Sequence, residues 1–237
     1  MNDGFHAAAS SMAACMTQLE IATANAVNAN TPGYVPRGMA VRAFSTDLDR
    51  ELGREASLVE VKETTSFQGG IMTVSQSPLA AAISGNGFFV VDTPQGAALT
   101  RNGDFMLNAS GTLVTRAGYA VQGASGSLQG QPDGGPVEIR DGGTLMQDGQ
   151  VLGALRVADV ADRSALERAG DTLFLNPSGA ALTNVDEAMV KGRMLEMPAE
   201  RGVAGLVGMI AANREFESAQ RVISVLNRSY EKLIGRG

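Results

Sequence analysis

The chain has 237 residues, of which 44% are hydrophobic, so it is long enough to bury a core and is not disordered overall. Its net charge is −6 at pH 7, which argues against nucleic acid or an anionic membrane as a partner, because both reward clustered Lys and Arg. Aromatic residues make up only 5% of the chain whereas Gly occurs 29 times, and this balance favours turns and close backbone contacts over one aromatic core.

An amphipathic helix is predicted near the N-terminus, from about residue 4 to 30. Phe5, Met12, Leu19 and Ala26 recur every seven residues, and small apolar residues fill the steps of three and four between them. Most of this apolar seam is alanine, so the seam is thin. We expect it to pack against another helix in a coiled-coil-like way, and packing on the helix's own domain is the alternative.

Three asparagines lie near the predicted end of this helix, in the stretch ATANAVNANTPGYVP. Asn30 precedes Thr-Pro-Gly and suits a helix end, where a residue that tolerates the left-handed conformation is favoured. Asn25 and Asn28 fall inside the predicted helix, where Asn is unfavourable because its side chain competes for backbone hydrogen bonds. We therefore expect contacts outside the helix to compensate for them.

The C-terminal segment carries a clearer heptad pattern over residues 209–234. Two registers of apolar residues, three positions apart, are typical of the a and d positions of a coiled coil. The a register is Met209, Phe216, Ile223 and Tyr230, and the d register is Ala212, Ala219, Leu226 and Leu233. A helix of this kind is marginally stable alone in water, so we predict that it pairs with the N-terminal helix.

A second pattern of seven runs along the opposite side of the C-terminal helix. It consists of Arg214, Arg221 and Arg228, which fall at the f position, away from the apolar seam. Two interpretations stay open, since the arginines could serve solubility or could form a contact between subunits.

Between the helices the pattern changes to short β-branched or aromatic runs separated by turn signals, over residues 69–185. FFVV (88–91) is one such run, and Asn102-Gly103 is the strongest type of short-range hairpin signal, because both turn residues need a positive φ. These patterns predict an antiparallel β domain, either a sandwich or an irregular barrel. The charged stretch DLDRELGRE (47–55) predicts a short solvated helix.

The predicted fold class is therefore α+β and mainly β, with long N- and C-terminal helices that pair as a coiled-coil-like stem. Residues 1–30 and 202–237 are predicted to form this discontinuous stem. Residues 31–68 are predicted as a linker with extended segments, and residues 69–201 as a β-rich outer domain.

No catalytic, cofactor-binding or metal site is predicted. His6 and Cys15 are the only histidine and cysteine, and a separation of nine residues on a helix places them on opposite sides of its axis. The glycine-rich stretches 85–90 and 123–130 lack the context of a phosphate-binding loop. We find no secretory signal pattern and expect no membrane insertion.

Several motifs, in order along the chain, resemble the flagellar basal-body rod and hook proteins. They are NANTPGY (28–34), QGGIM (68–72), SPLAAAISGNGFFVV (77–91), TRNGDFMLNASGTLVTRAGYAVQG (100–123) and the heptad C-terminal helix. In that family the paired terminal helices form the tubular core of a hollow axial structure, and the β domain lies outside them.

The resemblance implies a structural subunit of the basal-body rod, without enzymatic activity or cofactor. It implies assembly with copies of itself and with other rod and hook subunits. It also implies export by the flagellar type III apparatus without a cleaved signal peptide, and a final location in the basal body, across the periplasm. In the isolated chain, the terminal helices are then expected to be largely unfolded while residues 69–185 stay folded.

The residues expected at the assembly interface are those of the two seams, the two asparagines that match the family motif, and the arginine stripe. They are Phe5, Met12, Leu19, Asn25, Asn28, Met209, Phe216, Ile223, Leu226, Tyr230, Leu233, Arg214, Arg221 and Arg228. One departure from the family pattern is Ala26, where the family usually has a leucine, and this thins the N-terminal seam.

The length of the chain and its short linker are most like those of a proximal rod subunit. Distal rod and hook subunits are the alternatives. A carbohydrate- or peptide-binding β protein is an alternative of a different class. It would need an exposed aromatic platform, and the chain has three Tyr, eight Phe and no Trp to build one.

Overall fold

The fold was obtained as a computed structural model that describes residues 3–44, 58–131, 134–185, 189–199 and 203–234. The chain divides into two compact units. The terminal unit comprises Met1–Val27, Pro36–Ser66 and Glu200–Gly237, and the β unit comprises Asn28–Val35 and Phe67–Ala199. The described residues are mainly β, with one N-terminal and one C-terminal α-helix.

The terminal unit contains these two helices and one β-hairpin. Helix α1 is Asp3–Val27 and helix α2 is Val203–Ile234, while the hairpin consists of β1 (Arg37–Phe44) and β2 (Leu58–Thr65). The strands are antiparallel, with Arg37 opposite Thr65 and Phe44 opposite Leu58. Helix α1 packs against α2 and against both strands of the hairpin.

The hairpin lies within residues 31–68, which the sequence analysis assigns to a linker with extended segments. The helix predicted over 47–55 lies outside the described residues. The end of α1 comes earlier than the predicted residue 30, because the carbonyl of Asn28 accepts from the amide of Thr31 at 3.0 Å and closes a turn instead of another helical turn. Asn28 is therefore outside the helix, and the prediction that it lies inside is wrong.

The β unit is built of short antiparallel strands joined by turns. They are β3 (Ile71–Val74), β4 (Ala81–Ile83), β5 (Phe88–Thr93), β6 (Gly96–Thr100), β7 (Phe105–Leu107), β8 (Leu113–Thr115), β9 (Ala120–Gly123), β10 (Gly126–Ser127), β11 (Val137–Ile139), β12 (Thr144–Gln147), β13 (Gln150–Ala154), β14 (Val157–Asp159), β15 (Glu167–Arg168), β16 (Leu173–Leu175), β17 (Thr183–Asn184), β18 (Val190–Gly192) and β19 (Met194–Met197). A short 3-10 turn at Arg163–Ala165 follows β14.

One large sheet organises this unit. Its strand order is β15-β16-β6-β5-β9-β8-β7, with β10 paired to β9, β14 paired to β5 and β17 paired to β14. Strands β11, β12 and β13 form a second sheet, and the pairs β18-β4 and β19-β3 complete the described β structure.

Strand β5 lies at the centre of the core because it is buried on both faces. Phe89 and Val91 belong to one apolar cluster, and Phe88 and Val90 belong to another. All four side chains are fully buried. This explains why FFVV is an unbroken apolar run instead of an alternating one, as expected for a strand covered on two sides.

The predicted hairpin at Asn102-Gly103 is wrong. Strands β6 and β7, which flank these residues, do not pair with each other, since β6 pairs with β5 and β16 while β7 pairs with β8. The Asn102 side chain instead accepts from the amide of Asp104 at 2.9 Å, which closes a local turn. Only a glycine fits at position 103, because a Cβ there would collide with the carbonyl oxygen of Ala81.

A hairpin turn that needs two positive φ angles does occur between β12 and β13. It is formed by Asp148 (φ 51°) and Gly149 (φ 78°), directly between the paired residues Gln147 and Gln150. Positive φ at both central positions is the pattern of a type I′ turn. The Asp-Gly dipeptide is a recognised signal for this turn, although no hairpin was predicted there.

Candidate assembly surface

Among its described side chains, helix α2 shields those at the predicted a and d positions and exposes the others. Between Val207 and Val225, the shielded members of its described side chains are Met209, Ala212, Phe216, Ala219 and Ile223. Ala212 is only 1% exposed. The side chains of Leu226, Tyr230 and Leu233, in the last turns of the predicted seam, lie outside the described residues.

Helix α1 is covered on more than one side. Met12 and Leu19 of the predicted seam are half-buried, and the side chain of Phe5 lies outside the described residues. Ile21 is more deeply buried, at 9% exposed, although it lies outside the predicted seam. It shares a helix face with Asn25, four residues on, and that face is the one that meets the hairpin.

Asn25 connects α1 to the start of the hairpin. Its Nδ2 donates to the backbone oxygen of Arg37 and its Oδ1 accepts from the backbone amide of Arg37, each across 2.9 Å. The side-chain amide thus pairs with both polar groups of one strand residue, as a neighbouring strand would. This contact within the chain compensates for the unfavourable Asn inside a helix.

Asn28 belongs to the β unit and is 8% exposed. Its Oδ1 accepts from the hydroxyl of Thr31 at 3.1 Å, which supports the turn after α1. That Asn25 and Asn28 make contacts between subunits stays a prediction.

The arginine stripe of α2 is exposed along its length, at Arg214, Arg221 and Arg228. Nη2 of Arg221 lies 3.7 Å from Oε2 of Glu217, one helical turn earlier. Within the described part of the chain, Arg214 and Arg228 form no ion pair, and the same holds for Glu20 of α1.

A buried arginine lies in the β unit at the end of β6. Nη1 of Arg101 donates to Oε2 of Glu196 at 3.2 Å, and Nη2 donates to the carbonyl oxygen of Gly85 at 2.6 Å. Nη1 also reaches the carbonyl oxygen of Ile83 at 3.4 Å. The guanidinium carbon lies 5.4 Å from the centre of the Phe88 ring. Burial lowers the pKa of Arg101, and the Glu196 carboxylate opposes that shift.

Glu196 connects three distant parts of the β unit. Besides accepting from Arg101, its Oε1 accepts from the amide of Gly70 at 2.8 Å, and its backbone oxygen accepts from the amide of Gly33 at 2.7 Å. Gly33, Gly70 and Glu196 each lie close in sequence to a boundary between the two units. The pair with Arg101 therefore fixes the ends of the β unit's chain segments to its core.

The pair of Arg101 and Glu196 was not predicted from the sequence. Glu196 stands among apolar residues in MLEM (194–197), and a charged residue in a short apolar strand is the signal that could have indicated a buried polar contact. Which cation it would pair with is not readable from the sequence, since Arg101 is 95 residues away.

The described residues contain no group of three or more His, Cys, Asp and Glu side chains placed to hold a metal ion. Cys15 is a half-buried free thiol. None of the helices in the described ranges combines the length and the apolar character that a membrane span requires.

Comparison with known proteins identifies the family. A model described as the flagellar hook protein FlgE/F/G D1 domain matches residues 82–152, which include Arg101 and most of the large sheet. The chain is 29% identical over 226 residues to the flagellar basal-body rod protein FlgF of Caulobacter vibrioides, with 92% of each chain covered. It is 30% identical over 249 residues to the rod protein FlgG of Agrobacterium fabrum, again with 92% of each chain covered. It is 28% identical over 237 residues to FlgF of Rhizobium meliloti, covering 99% of this chain and 97% of the relative.

The chain therefore belongs to the family of flagellar basal-body rod proteins. Within this family it is most like FlgF, and this confirms the resemblance to the rod and hook proteins drawn from its motifs. The family is structural, so the prediction that the chain is not an enzyme is also confirmed.

Proposed function

We propose that the chain is a structural subunit of the flagellar basal-body rod, and that it assembles through α1 and α2 with copies of itself and with other rod or hook subunits. The coiled-coil-like pairing of α1 with α2 and export by the flagellar type III apparatus without a cleaved signal peptide are parts of this proposal. In its more specific form, the proposal places the chain at a proximal, FlgF-like position in the rod.

One observation carries the proposal. Helix α2 has 32 residues, yet its described side chains are shielded along a single narrow seam. Val207, Ile210 and Val225 on its other sides are 59%, 51% and 59% exposed. An isolated helix gains little stability from such limited burial, so neighbours that cover the remaining surface would stabilise it.

Replacing Phe216 with Asp tests the role of the seam in cells that lack the native gene. Phe216 lies in the shielded seam, and a charge placed there is costly to bury. The expected result is loss of motility and of completed rods in electron micrographs, with the β unit still folded. The matched control is Gln220→Asp, four residues on, which adds the same charge at an exposed position and should leave rods complete.

The isolated protein gives a second test. Limited proteolysis of the dilute chain should trim residues 1–30 and 202–237 before it cuts residues 69–185, because the helices lack the neighbours that cover them in a polymer. Protection of the whole chain at low concentration would contradict the proposal. Complete rods in cells from which the gene has been deleted would contradict it as well.

A further inference from the structure

Helix α1 has one exposed face that nothing in the described part of the chain covers. Its members follow each other at steps of three and four residues, which places them on one side of the helix. They are Ala13, Met16, Glu20, Thr23 and Val27, called here the α1 outer face. Met16 is 48% exposed and Val27 is 76% exposed, which is high for apolar side chains next to packed elements.

Helix α2 has a comparable face opposite its shielded seam. Its members again step along one side of the helix and combine apolar with basic side chains. They are Val207, Ile210, Arg214, Ser218, Arg221 and Val225, called here the α2 outer face, and the exposed Glu217 beside them pairs with Arg221. The two outer faces thus share apolar residues around a charge. The charges that form no ion pair in the described residues, Glu20 and Arg214, have opposite sign.

Arg221 of the α2 outer face pairs with Glu217, whereas the other two charges on these faces are unpaired in the described part of the chain. Glu20 and Arg214 form no ion pair in the described residues. The segment Asp3–Val27 contains no Lys or Arg, so α1 cannot neutralise Glu20 by itself. A contact that brings the two faces together would satisfy both charges and cover the apolar residues beside them.

We propose that the α1 outer face of one copy docks on the α2 outer face of a second copy, with Glu20 facing Arg214. The proposal rests on the proposed function and names the surfaces through which copies meet. Val27 follows Glu20 by seven residues, and Val207 precedes Arg214 by seven residues. An antiparallel arrangement therefore places the two valines together when the two charges meet, since seven residues are about two helical turns.

A second copy is the partner that the charges favour, because the chain itself supplies both complementary faces. About five side chains per copy is a small contact beside the roughly 20–30 residues a side of a standard interface. We therefore expect the contact to persist where many copies repeat it in a polymer, and not as a stable dimer of the isolated chain.

Charge reversal tests the docking in cells that depend on the variant chain. Glu20→Arg and Arg214→Glu each place like charges opposite each other, and each should reduce swimming-zone diameter and the number of completed rods several-fold. The double variant E20R/R214E restores the attraction with reversed sign and should recover most of the loss. Circular dichroism of the purified variants should match the unchanged protein, because all positions are exposed.

Two control variants separate this contact from a general effect of charge. Glu215→Arg changes the net charge as Glu20→Arg does, but at an exposed α2 position outside the outer face. Lys62→Glu does the same for Arg214→Glu at an exposed position of β2 that forms no ion pair in the described residues. Both controls should keep normal rods. Single reversals with normal rods, or a double variant no better than the singles, would overturn the docking while leaving the rod function intact.

Cysteine crosslinking tests the direction of packing. In a chain carrying Cys15→Ser, the pair Val27→Cys with Val207→Cys should form disulfides between copies when assembled rods are oxidised. The pair Met16→Cys with Ile210→Cys meets only in a parallel arrangement. The reason is that Met16 precedes Glu20 by four residues, and Ile210 precedes Arg214 by four residues as well. Crosslinking of the second pair and not the first would overturn the antiparallel arrangement.

Discussion

Arg101 and Glu196 form a buried ion pair, with 3.2 Å between Nη1 and Oε2 and with side chains that are 6% and 9% exposed. The two residues belong to segments 95 positions apart, and Glu196 also holds Gly33 and Gly70. Taking two charges out of water is costly, and the hydrogen bonds that surround this pair offset much of that cost. The pair therefore holds the β unit in one arrangement at the points where its chain segments begin and end.

Removing either partner should destabilise the β unit strongly. Arg101→Met leaves the Glu196 carboxylate buried without its cation. Glu196→Met likewise leaves the Arg101 guanidinium buried without its carboxylate. We expect each to lower the free energy of unfolding by about 3–5 kcal/mol, as measured by urea unfolding with circular dichroism. The double variant R101M/E196M should recover a substantial part of this loss, because no charge then remains buried.

An exposed pair provides the control for this experiment. Arg140 pairs with Glu138 at 2.8 Å, but its side chain is 62% exposed. Arg140→Met should cost less than about 1 kcal/mol. Additive losses in the double variant at Arg101 and Glu196 would show that the two side chains do not act as a pair.

Gly103→Ala should destabilise the β unit through steric overlap. The added Cβ would collide with the carbonyl oxygen of Ala81, and backbone atoms cannot move aside as a flexible side chain can. We expect a loss of more than about 2 kcal/mol in urea unfolding. Gly69→Ala, where no atom lies within 4 Å of the added Cβ, should stay within about 0.5 kcal/mol of the unchanged chain.

Gly149→Ala isolates the cost of a backbone angle without any overlap. Gly149 has φ +78° in the turn between β12 and β13, and no atom lies within 4 Å of an added Cβ. An L-residue in this region costs about 1–2 kcal/mol, so the variant should lose that much stability in the same measurement. A loss as large as that of Gly103→Ala would mean that the turn is packed more tightly than its geometry indicates.

Asp159 should make the β unit sensitive to acid. Burial raises the pKa of Asp159, but hydrogen bonds from Arg163 and from the amide of Val160 outweigh this, so the pKa lies below its ordinary value of 3.8. Arg163 provides two of these bonds, at 2.9 and 2.5 Å. A group with a depressed pKa stabilises the folded state fully above its unfolded pKa, and this stabilisation is lost as the pH falls through the folded value.

Urea unfolding between pH 5 and pH 2 tests this contribution. The difference in unfolding free energy between the unchanged chain and Asp159→Asn should be largest at pH 5 and should shrink below about pH 4. Asp171→Asn, at an exposed carboxylate without an ion pair in the described residues, is the matched control. A difference for Asp159→Asn that does not change with pH would contradict the assignment.

The local pattern predicted the helices and the central strand well. The seven-residue spacing of Met209, Phe216 and Ile223 coincides with the shielded side of α2, because helical periodicity is a property of consecutive residues. FFVV became β5 for a similar reason, since an unbroken run of apolar and β-branched residues suits a strand with two buried faces.

The hairpin predicted at Asn102-Gly103 is wrong because a turn dipeptide does not determine whether its flanking strands pair. Strand β6 found its partners in β5 and β16, so the Asn-Gly step closes no hairpin. Gly103 is needed there because the segment that carries Ala81 passes close by. Asn25 is a similar case, since its partner Arg37 comes from a hairpin that the sequence indicated only as extended chain.

By itself, the sequence determined the two terminal helices, the central strand β5, the apolar seam of α2 and, through its motifs, the resemblance to the flagellar rod and hook proteins. These properties depend on neighbours along the chain, and local spacing records them. Only the tertiary structure decided that Arg101 is buried against Glu196, that Ile21 is covered and that Glu20 and Val27 remain exposed. Burial depends on segments far apart in sequence, and it becomes defined only when folding brings those segments together.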